Sequence, residues 1–331
     1  MKTAAALTLL LVLAPCARAG KAIDFSQAAA GTSGSQFLIF DTSARGIALG
    51  GAMTSVTDDA NSIYWNPAGL AQVPRMSASF MFADYVAGIT YNDLAYAQRI
   101  DDQSVLAAGV RYLNAGSIGG TDINGQANGN FTPYDFVAEA GWGQSIYEMS
   151  DNESDVMMGV SGKMIHSSLG DATANGFAGD IGMISHIYTT ERNYDIGLTV
   201  QNIGSGQKFD QVRDSMPTRV QFGASFKPIP SLLLTSNAVA PMGYNMYGAV
   251  GAEYTAAFDG DMAGALRLGL SSENYSSLGF VSIPTFGLGL KINDVSFDYA
   301  FQPMGPLGVA AHRLSISFNL PAMASSRYRE P

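Results

Sequence analysis

His312-Arg313-Leu314-Ser315-Ile316-Ser317-Phe318-Asn319-Leu320 alternates without a break: Leu314, Ile316, Phe318 and Leu320 are apolar, and Arg313, Ser315, Ser317 and Asn319 lie between them. Successive side chains of a strand point to opposite faces, so this stretch is a strand with one greasy side and one wet side. The pattern recurs along the chain after residue 75. Strands are expected at 75–84, 91–100, 104–114, 133–145, 156–167, 177–188, 193–203, 217–227, 230–239, 246–256, 263–272, 284–293, 295–302 and 311–320. That is fourteen, an even number, as antiparallel closure with both ends on one side requires.

The connections support closure. Counting from an inner N-terminus, the outward set is 85–90, 115–132, 168–176, 204–216, 240–245, 273–283 and 303–310. The inward set, 101–103, 146–155, 189–192, 228–229, 257–262 and residue 294, is shorter on the whole. Charged residues make up 14% of the chain, against about 25% in ordinary soluble domains. The shortage is explained if one face of every strand meets lipid. Beyond the N-terminal leader no apolar run reaches the length of a membrane-spanning helix. The fold class is therefore all-β: a transmembrane barrel of about fourteen antiparallel strands in an outer membrane.

Residues 1–19 start with Lys2, continue through apolar Ala4 to Ala14 and end in Ala17-Arg18-Ala19, the layout of a cleaved secretory signal. Cys16 could suggest a lipid anchor, but Pro15 stands where a small residue is wanted. Once Cys16 is removed there is no thiol for a disulfide or a thiolate metal site. The net charge of −10, or −12 without Lys2 and Arg18, argues against nucleic acid as a partner.

Phase within the strands assigns the two faces. Leu106, Ala108, Val110 and Tyr112 oppose Arg111; Leu266, Leu268 and Leu270 oppose Arg267; Val295, Phe297, Tyr299 and Phe301 oppose Asp298. The charges expected to face the lumen are Arg111, Lys163, Asp180, Glu253, Arg267, Lys291, Asp298 and Arg313. Gly109, Gly182, Gly223, Gly251 and Gly289 share their phase, leaving room in the lumen or letting strands bend. The charges could simply solvate a polar interior or pair with one another.

Residues 20–74 do not fit the strand repeat. They contain Ser43-Ala44-Arg45-Gly46, Leu49-Gly50-Gly51-Ala52 and Tyr64-Trp65-Asn66-Pro67-Ala68-Gly69-Leu70. Asn-Pro favours a turn, because Asn66 can bond the following backbone while Pro67 fixes its own φ. A small-residue-rich, turn-rich segment ahead of a barrel is expected to be a hatch or plug folded into the lumen, followed by the barrel over 75–320 and a periplasmic tail over 321–331.

These same motifs resemble the N-terminal signature of PorV and PorQ-type proteins, within the FadL-like group of fourteen-stranded outer-membrane barrels. Further matching stretches are Asp195-Ile196-Gly197-Leu198-Thr199-Val200-Gln201-Asn202-Ile203-Gly204, Pro217-Thr218-Arg219-Val220-Gln221-Phe222-Gly223-Ala224, and Phe297-Asp298-Tyr299-Ala300-Phe301 leading to His312-Arg313-Leu314-Ser315. The resemblance covers nearly the whole mature chain. It implies a hatch motif of Arg45, Gly46, Trp65, Asn66, Pro67, Ala68 and Gly69, and either of two roles. PorV-like proteins receive secreted cargo through its C-terminal domain and pass it to the attachment machinery of the type IX system. FadL-like proteins carry long-chain fatty acids or other hydrophobic compounds across the outer membrane under the control of the hatch.

The partners expected are thus outer-membrane lipid together with secreted cargo or secretion subunits, or alternatively a hydrophobic small molecule in the lumen. No cofactor is expected. Cargo recognition predicts apolar anchors at the outer rim, for which Met242, Tyr244, Met246, Tyr275 and Phe280 are the candidates, although they could equally form the interfacial aromatic girdle. The outward loop 115–132, with Gly116, Gly119, Gly120, Gly125 and Gly129, reads as flexible and lacks an aromatic cluster. Transport predicts a greasy pocket beneath residues 36–70 and a kinked strand with an unpaired gap. An enzyme would need a nucleophile beside a base, and His166-Ser167-Ser168 is the compact candidate, without an evident orienting partner. His166, His186 and His312 are too scattered for a zinc cluster.

Overall fold

The seam of the cylinder joins its two most distant strands. Strand β1 (Met76–Asp84) pairs antiparallel with β18 (Ala310–Leu320), Met76 lying opposite Leu320 and Asp84 opposite His312. The computed structural model describes residues 33–148, 154–189, 192–258, 260–307 and 310–321. The expected signal sequence, Cys16, and nearly all of the expected tail lie outside the described residues.

From β1 the chain runs through β2 (Thr90–Arg99) and β3 (Ser104–Asn114), then a small hairpin of β4 (Ile118–Thr121) and β5 (Ala127–Phe131). The wall resumes with β6 (Tyr134–Glu148), β7 (Ser154–Leu169), β8 (Ala172–Tyr188) and β9 (Asn193–Gly204). A second small pair follows, β10 (Gln207–Lys208) and β11 (Arg213–Asp214). The remaining strands are β12 (Arg219–Ile229), β13 (Leu232–Pro241), β14 (Tyr247–Ala257), β15 (Met262–Ser271), β16 (Pro284–Ile292), β17 (Val295–Pro303) and β18. Without the two small pairs, fourteen strands close in the order β1-β18-β17-β16-β15-β14-β13-β12-β9-β8-β7-β6-β3-β2. The end carrying the short turns faces the periplasm and the other end faces outward, as in other outer-membrane barrels.

All fourteen expected strands are present, and the differences lie at the outer end. The stretch 168–176 is not a loop: β7 and β8 continue to a two-residue turn at Gly170-Asp171, with Gly170 at φ 67°. Residues 115–132 form the β4–β5 hairpin rather than an unstructured connection, and 204–216 hold the β10–β11 pair. In each case alternation with lipid stops where the strand leaves the membrane, while backbone hydrogen bonding does not. Sequence periodicity records the first and is blind to the second.

Outward positions carry the large apolar side chains, for example Phe80, Leu94, Leu106, Phe222, Leu266, Phe297 and Leu314. The hydrophobic core is on the other side of the sheet. Phe37, Leu38, Ala44, Ile47 and Ala48 pack against inward-facing Met81, Tyr91, Leu113, Val137 and Ile165. Ala60, Ile63, Leu70 and Val73 meet Ala95, Ala97, Val105 and Ala107, and Leu49, Met53, Tyr64 and Trp65 meet Leu233. Part of the inner wall is therefore apolar as well, because it faces residues 36–73 rather than water.

Candidate functional site in the lumen and at the rim

The N-terminal segment is built from short turns, each fixed by its own chemistry. Ser43 caps the helix Ala44–Ala48 by accepting from the Gly46 N–H at 3.2 Å, and the Trp65 indole N–H donates to the same hydroxyl at 3.2 Å. A Cβ at Gly46 would overlap the Trp65 ring. The conjunction of Arg45-Gly46 with Trp65 thus has a steric reason. Asn66 Oδ1 accepts from the Ala68 N–H at 3.1 Å, so that Pro67 begins the 3-10 turn Pro67–Gln72. Asn66 Nδ2 donates to the Thr54 carbonyl at 2.8 Å and to that of Met183, on the wall, at 3.2 Å. Ala68 is fully buried, and Gly69 lies so close to the Thr57 carbonyl that a side chain would clash.

The wall is indented to receive this segment. A Cβ on Gly143 would sit 2.7 Å from Leu70 Cβ, and on Gly251 2.8 Å from the Leu49 carbonyl oxygen. At Gly159, Gly182, Gly197, Gly269 and Gly287 it would overlap Pro67, Asn66, Thr54, Gly50 and Ala48 respectively. Eight strands contribute to this girdle, since Gly223 of β12 also faces Thr54. Gly109 and Gly289 do something else: they make room for Glu139 and for the Arg267–Asp298 pair.

The lumen charges fall into separate groups. Nearest the periplasm, Arg45 Nε meets Glu253 Oε2 at 3.0 Å and its Nη1 meets Asp58 at 3.0 Å; Arg267 joins the same Glu253 and reaches Asp298 at 2.6 Å. These groups line a polar cavity of about 410 Å³, where Lys291 and Lys227 also stand. Burial pushes the Asp59 carboxyl up to about 6, reinforced by Asp58 and opposed by Arg45. Further round, Arg111 pairs with Glu139 at 2.9 Å, both fully buried. Arg313 binds Gln302 at 2.9 Å and lies over the Tyr85 ring.

Lys163 and Asp180 pair at 2.7 Å and mend the wall. Between Gly179 and Ile181 the register of β8 and β9 shifts, and Asn202 of β9 takes a left-handed φ of 57°. Asp180 accepts the Asn202 N–H at 2.8 Å, and Lys163 holds the Asn202 side-chain oxygen at 2.8 Å. The donor that the bulge frees is thus satisfied from within the lumen.

Several residues escaped the sequence reading. Tyr64 is gripped by Arg219, which donates to its hydroxyl at 2.9 Å, and its ring lies 5.2 Å from the Arg111 guanidinium carbon. Gln201 donates to the backbone carbonyls of both Tyr64 and Trp65. Asp93 and Glu139 are buried acids that alternation alone could have marked as inward. Glu273, half-buried in the loop after β15, is pushed up to about 7 by burial and by Asp41, with Arg219 opposing.

At the outer rim Met246, Tyr275 and Phe280 are exposed, Phe280 at 76%, whereas Met242 and Tyr244 are half-buried. The Tyr244 hydroxyl sits 2.8 Å from that of Ser276, tying the 242–246 loop to the short helix Tyr275–Leu278. Val281 and Leu307 are exposed beside them and were not anticipated. His166 bonds Asn175 at 2.8 Å, while Ser167, on the opposite face, bonds Gln207, so these two do not form a nucleophile and base pair. His186 and His312 are likewise engaged separately, with Asp195 and Tyr299.

A closed fourteen-stranded wall with apolar residues outward defines an integral outer-membrane barrel. Solved structures of similar fold include the toluene transporter TodX of Pseudomonas putida, with 12% identity over 84% of this chain and 96% of that one at a TM-score of 0.55. The CymD monoaromatic hydrocarbon channel (11%, 84% and 97%, 0.52) and a Pseudomonas aeruginosa FadL homologue (8%, 85% and 99%, 0.51) are others. Identities this low establish the fold alone. Residues 24–241 match the family described as Type IX secretion system protein PorV, and the chain belongs to that family. Among curated proteins, none matches significantly.

Proposed function

We propose that the barrel is a non-catalytic docking platform for exported protein or secretion subunits at the outer face of the membrane, in a type IX-like system. The observation that carries this reading is where uncovered apolar groups lie. The inside of the barrel is occupied by residues 36–73, whose apolar side chains are buried against the wall, and the lumenal cavity is polar. At the rim, Met246, Tyr275, Phe280 and Val281 have no such cover. Aromatic and methionine side chains of this kind anchor protein interfaces.

A second reading, passage of hydrophobic compounds, draws on the likeness to TodX and CymD. It requires residues 36–73 to act as a hatch that moves. Against it stand the indented wall and the ion pair from Arg45 to Glu253 of β14, which fastens that segment. Native mass spectrometry of the protein gently extracted from its own outer membrane separates the two. The platform reading expects a retained polypeptide, released by Tyr275→Ser with Phe280→Ser. A stoichiometric fatty acid or similar apolar molecule, lost on Trp65→Ala and indifferent to the rim, overturns it in favour of transport.

A further inference from the structure

The segment inside the barrel rejoins the wall through residues 71–74, and two wall residues hold it there. Arg99 of β2 donates to the carbonyls of Ala71 at 2.7 Å, Val73 at 2.9 Å and Pro74 at 3.0 Å. A guanidinium keeps its charge at any pH a protein meets, so this hold is constant. His186 of β8 supplies the other: its Nε2 lies 3.1 Å from Gln72 Oε1, and its Nδ1 lies 2.6 Å from Asp195 Oδ1 of β9.

This second hold depends on a proton. Gln72 Nε2 donates to the Thr57 carbonyl at 2.9 Å, which fixes the amide with its oxygen toward the ring. Asp195 is fixed too, since its other oxygen accepts from the Ser225 hydroxyl of β12 at 3.1 Å. Both ring nitrogens therefore face acceptors. Neutral imidazole has one N–H and one lone pair, and only imidazolium donates from both sides. When the proton leaves, the carboxylate keeps the Nδ1 hydrogen as the stronger acceptor, and the Nε2 lone pair is left facing the Gln72 oxygen.

The ring is within reach of the periplasm. It borders a cavity of about 430 Å³ at the inner end of the barrel, together with Arg99, Asp102 and Asp155, and its side chain is 20% exposed. Asp155, opposite His186 in the β7–β8 register, accepts from the Tyr188 hydroxyl at 2.8 Å, and that phenol ring lies 6.4 Å from the imidazole. Among the described residues, the titratable and charged groups around His186 are thus Asp195, Asp155, Asp102, Tyr188 and Arg99, while the lumenal segment offers it only the neutral Gln72. We infer that His186 is a proton-operated latch on the end of the lumenal segment. Its imidazolium ties Gln72, and through it Thr57, to the wall; a rise in periplasmic pH opens that tie and loosens the turn Pro67–Gln72, while Arg99 keeps the chain attached.

Backbone amide exchange, corrected for its intrinsic pH dependence, tests the latch on the full barrel in lipid vesicles. The Asp59→Asn protein is used, so that the carboxyl of Asp59 adds no pH dependence of its own. Protection of the Gly69 and Val73 amides, which bond the Asn66 and Leu70 carbonyls, is expected to fall about tenfold from about pH 5 to about pH 8, the loss of one charge-assisted hydrogen bond over the span in which histidine changes charge. Adding Gln72→Leu or His186→Gln should abolish that fall. Nitrogen NMR of the protein with His186 intact, assigned by the signal missing from His186→Gln, should show hydrogen on both ring nitrogens at the lower pH and on one at the higher. Protection that does not change with pH, an equal fall with Gln72→Leu or His186→Gln, or a ring already neutral at the lower pH overturns the latch.

Discussion

Between Gly143 and Gly287 the inner wall has given up side chains so that the chain of residues 48–70 can lie against it, while at the outer rim large side chains stand free with nothing of this chain over them. The two regions are made of the same strands and loops, yet they answer to different demands. Inside, the opening of one cavity or the gain of one methyl is felt at once, because interiors are packed to crystal density. Outside, the same change alters only what can be bound. A residue's distance from the girdle should therefore forecast whether its substitution is read in stability or in binding.

The harshest way to break this contrast is to fill an indentation. Gly182→Val is expected to cost at least about 3 kcal/mol, since its side chain would meet Asn66 and Pro67 with backbone behind them. Gly162→Val, on a lipid-facing site with nothing within 4 Å, should stay within about 0.5 kcal/mol of wild type. Urea midpoints in lipid vesicles read both, and equal losses would dispose of the girdle.

Next comes Arg267→Ala, which strips Glu253 and Asp298 of a shared cation. About 2–3 kcal/mol is expected, at the low end for a buried pair because water reaches the adjoining cavity. The same titration in urea, with Lys291→Ala as a neutral comparison, checks it.

Asp59 gives a smaller, pH-dependent effect. Its carboxyl holds a proton more tightly in the folded state, up to about 6, so stability is greatest below the ordinary carboxylate range and declines as the pH rises through about 6. Asp59→Asn should stabilise the barrel by about 1–2 kcal/mol at pH 8 and leave it unchanged at pH 4. A gain of equal size at both pH values would show that burial of this acid is not the cause.

The smallest stability change is expected at the rim. Phe280→Ser or Met246→Ser should move the urea midpoint by no more than about 0.5 kcal/mol, yet reduce the polypeptide retained in native mass spectrometry. A rim substitution that unfolds the barrel would erase the distinction between the two regions.

The lipid-facing side of this molecule was legible in the sequence, because hydrophobic alternation is imposed residue by residue by the bilayer. Leu266, Leu268 and Leu270 against Arg267 needed no partner to be understood. The lumen was less legible. Arg111 could be placed inward, but its pairing with Glu139 depends on the register of β3 against β6, which no local pattern displays. Nothing local distinguishes Tyr64 within the Tyr64–Leu70 motif, since its importance comes from Arg219 and Gln201, more than 130 positions away. The inward phase of Gly182, Gly223 and Gly251 leaves room in the lumen, but the occupants of that room come from a distant segment that no strand pattern displays. The rim lies between these cases: Phe280 and Tyr275 stood out by residue type, but Val281 and Leu307 became neighbours only when their loops met.

The girdle also bears on how such a cylinder is assembled. Bringing Met76 beside Leu320 closes a loop of well over two hundred residues, an entropic demand that grows with every strand in between. Residues 48–70 touch inward glycines on eight of those strands. A short stretch gripped by eight strands ties the cylinder together from within, so strands far apart in the chain share one surface as well as their neighbours' edges.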